Sequence, residues 1–210
     1  MSPIIAVASL LTASDASGVY MLEGVREMVS GFQLKPDHTY EFHLTYGAAD
    51  YWSKGVWRIE DNAIVLATPG KAKEPFRLLK SEKKPAATAD TDAIRVRVVA
   101  PNGRPVPNVR VQVQTISGDH STQQTDSEGI AYFQPDRPLQ ACAFEVRVYQ
   151  LQTEPMRVNS SHNDFTFEIN GEEITQVRFE NERLVPVEGG FLLRHVNPDH
   201  PLRYRKADPR

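Results

Sequence analysis

The chain of 210 residues holds a single cysteine, Cys142. One thiol closes no internal disulfide, so the fold rests on apolar burial and backbone hydrogen bonding. Long apolar runs are missing too: nothing approaches the roughly eighteen consecutive apolar residues of a transmembrane helix. Neither sign of charge dominates. Against 27 Asp and Glu stand 24 Lys and Arg, a formal net charge of -3, which removes any whole-chain pull toward nucleic acid or anionic membrane. There is no serine in a G-x-S-x-G elbow and no Gly-rich phosphate loop ahead of a helix. The six histidines, His38, His43, His120, His162, His195 and His200, are scattered over separate turns and strands. His38 and His43 fall on opposite faces of any continuous strand, and a zinc site needs three or four converging ligands. The sequence therefore predicts no catalytic residue, no metal site and no cofactor.

What is there is alternation at period two, the pattern of half-buried strands. In "YEFHLTY", Tyr40, Phe42, Leu44 and Tyr46 face one way and Glu41, His43 and Thr45 the other. "IRVRV", "VRVQV", "FEVRV" and "FTFEI" repeat the pattern around Val96, Val111, Val146 and Phe167. Turn signals punctuate them: "PDHT" at 36–39, "EDNA" at 60–63, "TPGK" at 68–71, "PNGRP" at 101–105, "SEG" at 127–129, "NGEE" at 170–173 and "EGG" at 188–190. The one helical candidate is a turn within "YGAADYW". The fold class is all-β, with the short, evenly spaced strands of sandwiches and barrels.

Residues 81–92, within "SEKKPAATADTDA", read as a linker poor in large apolar side chains. They separate an N-terminal β-meander module at 18–80 from a second module at 93–160. Strand candidates at 161–206 are too few to stand alone, and the expectation is that they complete the N-terminal module, the alternative being that they extend the second. Residues 1–17 carry "IIAVASLL" followed by small residues, similar to the apolar core and cleavage site of an export signal, although no Lys or Arg precedes Arg26. Processing near Ala16 is the expectation for a signal; a first β-strand is the other reading.

The stretch from Ile94 to Phe133, "IRVRVVAPNGRPVPNVRVQVQTISGDHSTQQTDSEGIAYF", resembles the carboxypeptidase regulatory-like (transthyretin-like, prealbumin-like) β-sandwich family, a pattern bacterial immunoglobulin-like domains share. A strand leads into the Asn102-Gly103-Arg104-Pro105 turn, then to Val109, Val111 and Val113. After a variable loop come Thr125-Asp126-Ser127-Glu128-Gly129 and the apolar strand Ile130–Phe133. The resemblance implies a non-catalytic module that stabilises, chaperones or binds carbohydrate or protein. Asp126 and Glu128 look at first like an acidic site, but calcium needs several more oxygen ligands than the neighbourhood supplies. An Asx-type turn closed by Gly129 explains them. A hydrolytic branch of the transthyretin-like fold would need a different C-terminal tetrapeptide; "LRYRKADPR" has Tyr204 and Arg205 without the Gly-Ser that should follow.

The first module looks lipocalin-like in its up-and-down strands. Tyr46, Asp50, Tyr51, Trp52 and Trp57 cluster in sequence around one hairpin connection, where aromatics at a barrel mouth could hold a small ligand or a glycan; the plainer reading is core and end-capping. Taken together, the sequence predicts a non-enzymatic, exported or cell-envelope bacterial protein, periplasmic or secreted with cytoplasmic as the alternative. It would act through binding or structural support, with a protein or glycan as partner and no nucleic acid. The rival reading is a lipocalin-like carrier of a small apolar ligand.

Overall fold

The computed structural model describes residues 11–85, 93–194 and 199–208. Two compact units emerge: residues up to 72 together with those from 175 onward form one, and residues 73–174 form the other.

The first unit is a closed antiparallel barrel. Its strands are β1 (Gly18–Leu22), β2 (Met28–Leu34), β3 (Thr39–Tyr46), β4 (Ala49–Glu60) and β5 (Ala63–Ala67), joined by three from the far end of the chain. The intervening chain supplies nine strands to the second unit: β6 (Phe76–Glu82), β7 (Ile94–Val99), β8 (Arg110–Thr115), β9 (His120–Gln124), β10 (Ile130–Phe133), β11 (Leu139–Val146), β12 (Leu151–Gln152), β13 (Met156–Arg157) and β14 (Asp164–Ile169). β15 (Glu180–Val187), β16 (Gly190–Leu193) and β17 (Leu202–Lys206) then return to the barrel, where β15 pairs with β5 and β17 with β1. Closure leaves the barrel no free edge. β16 and β17 approach very closely: a side chain at Gly190 would put its Cβ 1.8 Å from the Tyr204 carbonyl oxygen, so only glycine fits.

Alternation decides what fills the barrel. Tyr40, Phe42 and Leu44 of β3 point inward, as do Phe32, Trp57, Leu66, Leu184, Phe191 and Tyr204 from other strands. Their rings meet at centroid distances of 4.6 Å for Phe32–Phe42, 4.8 Å for Phe32–Tyr204 and 4.7 Å for Tyr20–Phe191. Side chains thus occupy the middle of the barrel, where a lipocalin-like carrier would hold its cargo. The buried hydroxyls are matched: Tyr204 Oη lies 2.8 Å from Ser30 Oγ, and Tyr40 Oη lies 3.0 Å from Ser53 Oγ and 2.8 Å from Thr68 Oγ1.

The second unit is a sandwich of one sheet ordered β10-β7-β14-β6 and another ordered β12-β11-β8-β9, with β13 also paired to β11. β14 runs parallel to β7 and antiparallel to β6. Val96, Val98, Val111, Val113, Phe144, Phe165 and Phe167 form the core between the sheets. Phe76 stacks on Phe144 at 4.3 Å, and Phe167 meets Phe144 edge-on at 4.7 Å.

Several expectations need correction. Residues 76–80, expected in the N-terminal module, and 164–169, expected with the C-terminal strands, both belong to the sandwich. Period-two alternation shows that a strand has an apolar face but not which core it faces, and Phe76, Phe165 and Phe167 are buried in the sandwich core. β6 runs to Glu82, inside the expected 81–92 linker, whose residues 86–92 lie outside the described residues. "YGAADYW" is a β-hairpin turning at Gly47, with φ +58°, and not a helical turn. Among the described residues the α-helices are α1 (Ala13–Ala16) and α2 (Gly171–Thr175); at the second, Asn170 Oδ1 accepts from the Glu172 amide at 3.1 Å.

Of the expected export signal, residues 1–10 lie outside the described residues. The rest is seated in the barrel unit. A reciprocal capping box between Thr12 and Asp15 starts α1. Ala16 is fully buried, and its carbonyl accepts from the Tyr20 hydroxyl at 2.8 Å. The Lys206 ammonium donates to the Asp15 carbonyl at 2.6 Å, and Leu11 and Ala13 pack on the core.

Candidate functional site

The five aromatic and acidic residues around the β3–β4 hairpin do not converge. Register pairs Tyr46 with Ala49, Thr45 with Asp50, Leu44 with Tyr51 and His43 with Trp52. Tyr51 therefore turns inward beside Leu44 and packs on the core. Trp52 turns outward beside His43 and donates from Nε1 to Thr175 Oγ1 at 3.0 Å. Tyr46 is exposed at the hairpin end, and Asp50 accepts from the Thr45 hydroxyl at 2.7 Å. Trp57 lies farther along β4, 2% exposed, with Nε1 bonded to the Lys35 carbonyl and its ring 4.7 Å from that of His38. One strand shows neighbouring residues to opposite faces, so closeness in sequence became separation in space.

The acidic stretch is a turn. Asp126 Oδ1 accepts from the Glu128 and Ile130 amides, each at 2.9 Å, and the Gly129 amide donates to the Asp126 carbonyl at 3.0 Å. Gly129 takes φ +71°, and an added Cβ would stand 2.5 Å from the Val98 carbonyl oxygen. The carboxylate is committed to its own backbone and holds the corner that starts β10. Cys142 is fully buried, and burial pushes its thiol up to about 12, the reverse of nucleophile activation.

A different place gathers polar groups that were not grouped in sequence. On the outward face of the sheet containing β8, β9 and β11, cross-strand rows run Thr122–Gln112–Ala143 and His120–Gln114–Ala141. A third row runs Gln124–Arg110–Glu145–Gln152. Ala141 and Ala143 are small where their neighbours are long, so the middle of the face is sunken. The result is a groove of about 190 Å³ lined by Arg110, Gln112, Thr122, Ala143, Glu145 and Gln152 together with Phe144. A smaller notch of about 20 Å³ continues it past Gln114, His120 and Pro155. Arg110 Nη1 donates to Glu145 Oε2 at 3.1 Å and Arg147 Nε to Glu145 Oε1 at 3.3 Å, so both oxygens of the carboxylate at one end are engaged. What remains is amide and hydroxyl. The outward face of the other sheet differs: it is charged, with Asp164 bonded at 2.6 Å to both Lys84 and Arg95, while the buried Nε atoms of Arg95 and Arg97 have no hydrogen-bond partner among the described residues.

The sequence signal for the groove was available in "RVQVQT" and "QACAFE". Both show polar or small residues at every second position, and in the second those residues are alanines. Alternation by itself reports only which positions face out. It takes the pairing of β8 with β11 to set Gln112 beside Ala143.

Residues 93–169 match the family of the macroglobulin domain MG4. The sandwich is an immunoglobulin-like β domain. The expectation of a carboxypeptidase regulatory-like module is met at the level of the sandwich and not at the level of that family, and the match runs through β14, beyond the expected limit at residue 160. A crystal structure of the C-terminal fragment of the pilus adhesin SpaC from Lactobacillus rhamnosus GG is similar at 12% identity. The likeness covers 82% of this chain and 79% of that one, with a TM-score of 0.21. No curated protein sequence matches the chain. Among the described residues, no helix is long and apolar enough to cross a membrane.

Proposed function

We propose that the protein is a non-catalytic binding module. The barrel is a filled scaffold and the immunoglobulin-like sandwich presents the contact surface, the groove over Ala141 and Ala143. The observation that carries this is the lining: two glutamine side chains, a threonine hydroxyl and an Arg110–Glu145 ion pair surround an alanine floor. Amides and hydroxyls can each donate and accept, and they match a neutral ligand that presents both, as a saccharide does. A glycan of the cell envelope is the partner class that fits this chemistry. The macroglobulin-like match is consistent with a structural or binding role. The rival carrier role finds no support in the barrel, whose middle is taken by Phe32, Phe42, Phe191 and Tyr204.

Replacing Ala143 by Leu tests the proposal, because the new side chain enters the groove from an outward position and leaves the inter-sheet core alone. In isothermal titration against a panel of neutral oligosaccharides, the wild-type chain binds at least one. Ala143→Leu loses that binding at least tenfold while keeping the wild-type circular dichroism. A wild-type chain that binds no member of the panel, or an Ala143→Leu variant that binds as well as wild type, rejects the groove as the site.

A further inference from the structure

A sheet edge carries unpaired backbone donors and acceptors, and folded proteins blunt such edges with charge, proline, bulges or short length. The barrel has none to blunt. In the sandwich, β6 carries Arg77, Lys80 and Glu82, and its pairing with β14 shifts register at Thr166/Phe167. β10 has 4 residues and Pro135 soon after its end. β12 and β13 have 2 residues each, with Pro155 between them. β9 has no such device. His120–Gln124, "HSTQQ", is exposed at all 5 positions, contains no proline and no Asp, Glu, Lys or Arg, and pairs with β8 without a register shift.

The register fixes which groups are free. The Thr115 amide donates to the Asp119 carbonyl at 2.9 Å and the Thr125 amide to the Val109 carbonyl at 2.9 Å. Antiparallel pairs alternate, so the bonds to β8 fall at Ser121 and Gln123. His120, Thr122 and Gln124 aim their N–H and C=O groups away from the sheet.

We infer that β9 is a self-pairing edge through which two copies of this chain associate. A two-fold axis through Thr122, perpendicular to the sheet, sets Thr122 against Thr122 of the second copy and His120 against its Gln124. Each of these opposed pairs exchanges two backbone bonds. The strand is self-complementary because its charge is nil: no carboxylate, ammonium or guanidinium of β9 meets its like across the axis. Every other sheet edge among the described residues is shortened, charged or bulged, so the association closes at two and does not propagate into a fibre. Directly opposed residues share a face, so the grooves of the two copies lie on one side of the joined sheet. The pairing is independent of what the groove binds. The contact is small, and such contacts are weak and concentration-dependent.

Sedimentation equilibrium over a range from micromolar to millimolar, with amide hydrogen exchange, tests it. The wild-type mass climbs from 23.6 kDa toward about twice that, as mass action requires. The amides of His120, Thr122 and Gln124 slow as it climbs, while those of Ser121 and Gln123 are protected throughout. Thr122→Pro removes an N–H that β8 does not use, a substitution an edge strand tolerates. Thr122→Lys places two ammonium groups face to face on the axis. Both variants keep the wild-type circular dichroism and stay at the monomer mass. A wild-type chain that remains at 23.6 kDa throughout overturns the inference, and so does association that survives both substitutions. A monomeric chain that instead takes an extended peptide along β9 also overturns it.

Discussion

Gly129 shows how one position couples a turn to a core. Its φ of +71° lies in the left-handed region, and a Cβ there would press on the Val98 carbonyl of the neighbouring strand. Gly129→Ala combines backbone strain with a backbone clash and is expected to cost about 3 kcal/mol. Thermal unfolding followed at the sandwich should show that loss as a lower midpoint, with the barrel transition unmoved. At the same scale, Tyr20 and Tyr204 are pushed up to about 12 by burial, and Tyr40 is raised for the same reason. A raised folded-state value means that the folded chain holds these phenol protons after the unfolded chain has lost them. The stability they contribute is complete below pH 10 and disappears as pH climbs from about 10 to about 12. In a spectrophotometric titration of the 7 tyrosines, Tyr20, Tyr40 and Tyr204 should ionise only above pH 10, in step with loss of the folded signal; their ionisation near pH 10, without unfolding, would contradict the burial.

Elements were legible in the sequence to unequal degrees. β3, β7, β8 and β14 announce themselves by clean alternation, and the pattern picks out most of their buried positions; Thr115 and Asp164 are buried beside the apolar ones, and Tyr46 is exposed. β9 could not be read that way. "HSTQQ" has no apolar residue, because an exposed edge strand is held by its ladder to β8 and not by burying a face. "FEVRV" misled in the other direction: β11 ends at Val146, a 3₁₀ turn covers Arg147–Tyr149, and Val148 is exposed. The N-terminal segment belongs to this scale as well. α1 is anchored by the Ala16 carbonyl, Lys206 and a capping box, and cleavage near Ala16 would break each of these bonds. If the apolar run at 4–11 directs export, processing falls before Leu11. N-terminal sequencing of the protein from its native host should find Leu11–Ser17 retained, and a mature chain starting at Ser17 or Gly18 would contradict the seat seen here.

For the whole molecule, the all-β class could be read from alternation and turn chemistry, and the combination of a barrel with a sandwich from the resemblances of the two modules. The assignment of Phe76, Phe165 and Phe167 to the sandwich could not, because an apolar face does not name its partner. The candidate site was hidden for a related reason. Aromatics close in sequence drew attention to Tyr46, Asp50, Tyr51, Trp52 and Trp57, yet a strand sends neighbours to opposite faces. Gln112, Thr122, Ala143 and Gln152 are far apart in sequence and meet only once β8, β9, β11 and β12 pair. The barrel spends its aromatic side chains on its own core; the sandwich leaves a polar depression open. A titration of the isotope-labelled chain with neutral oligosaccharides, followed by amide chemical shifts, compares the two directly. Binding at the groove predicts shifts centred on the side-chain amides of Gln112 and Gln152 and the backbone of Ala143, abolished in Ala143→Leu. Shifts centred on Tyr46, Tyr51 and Trp52, or a spectrum that no saccharide moves, would contradict it.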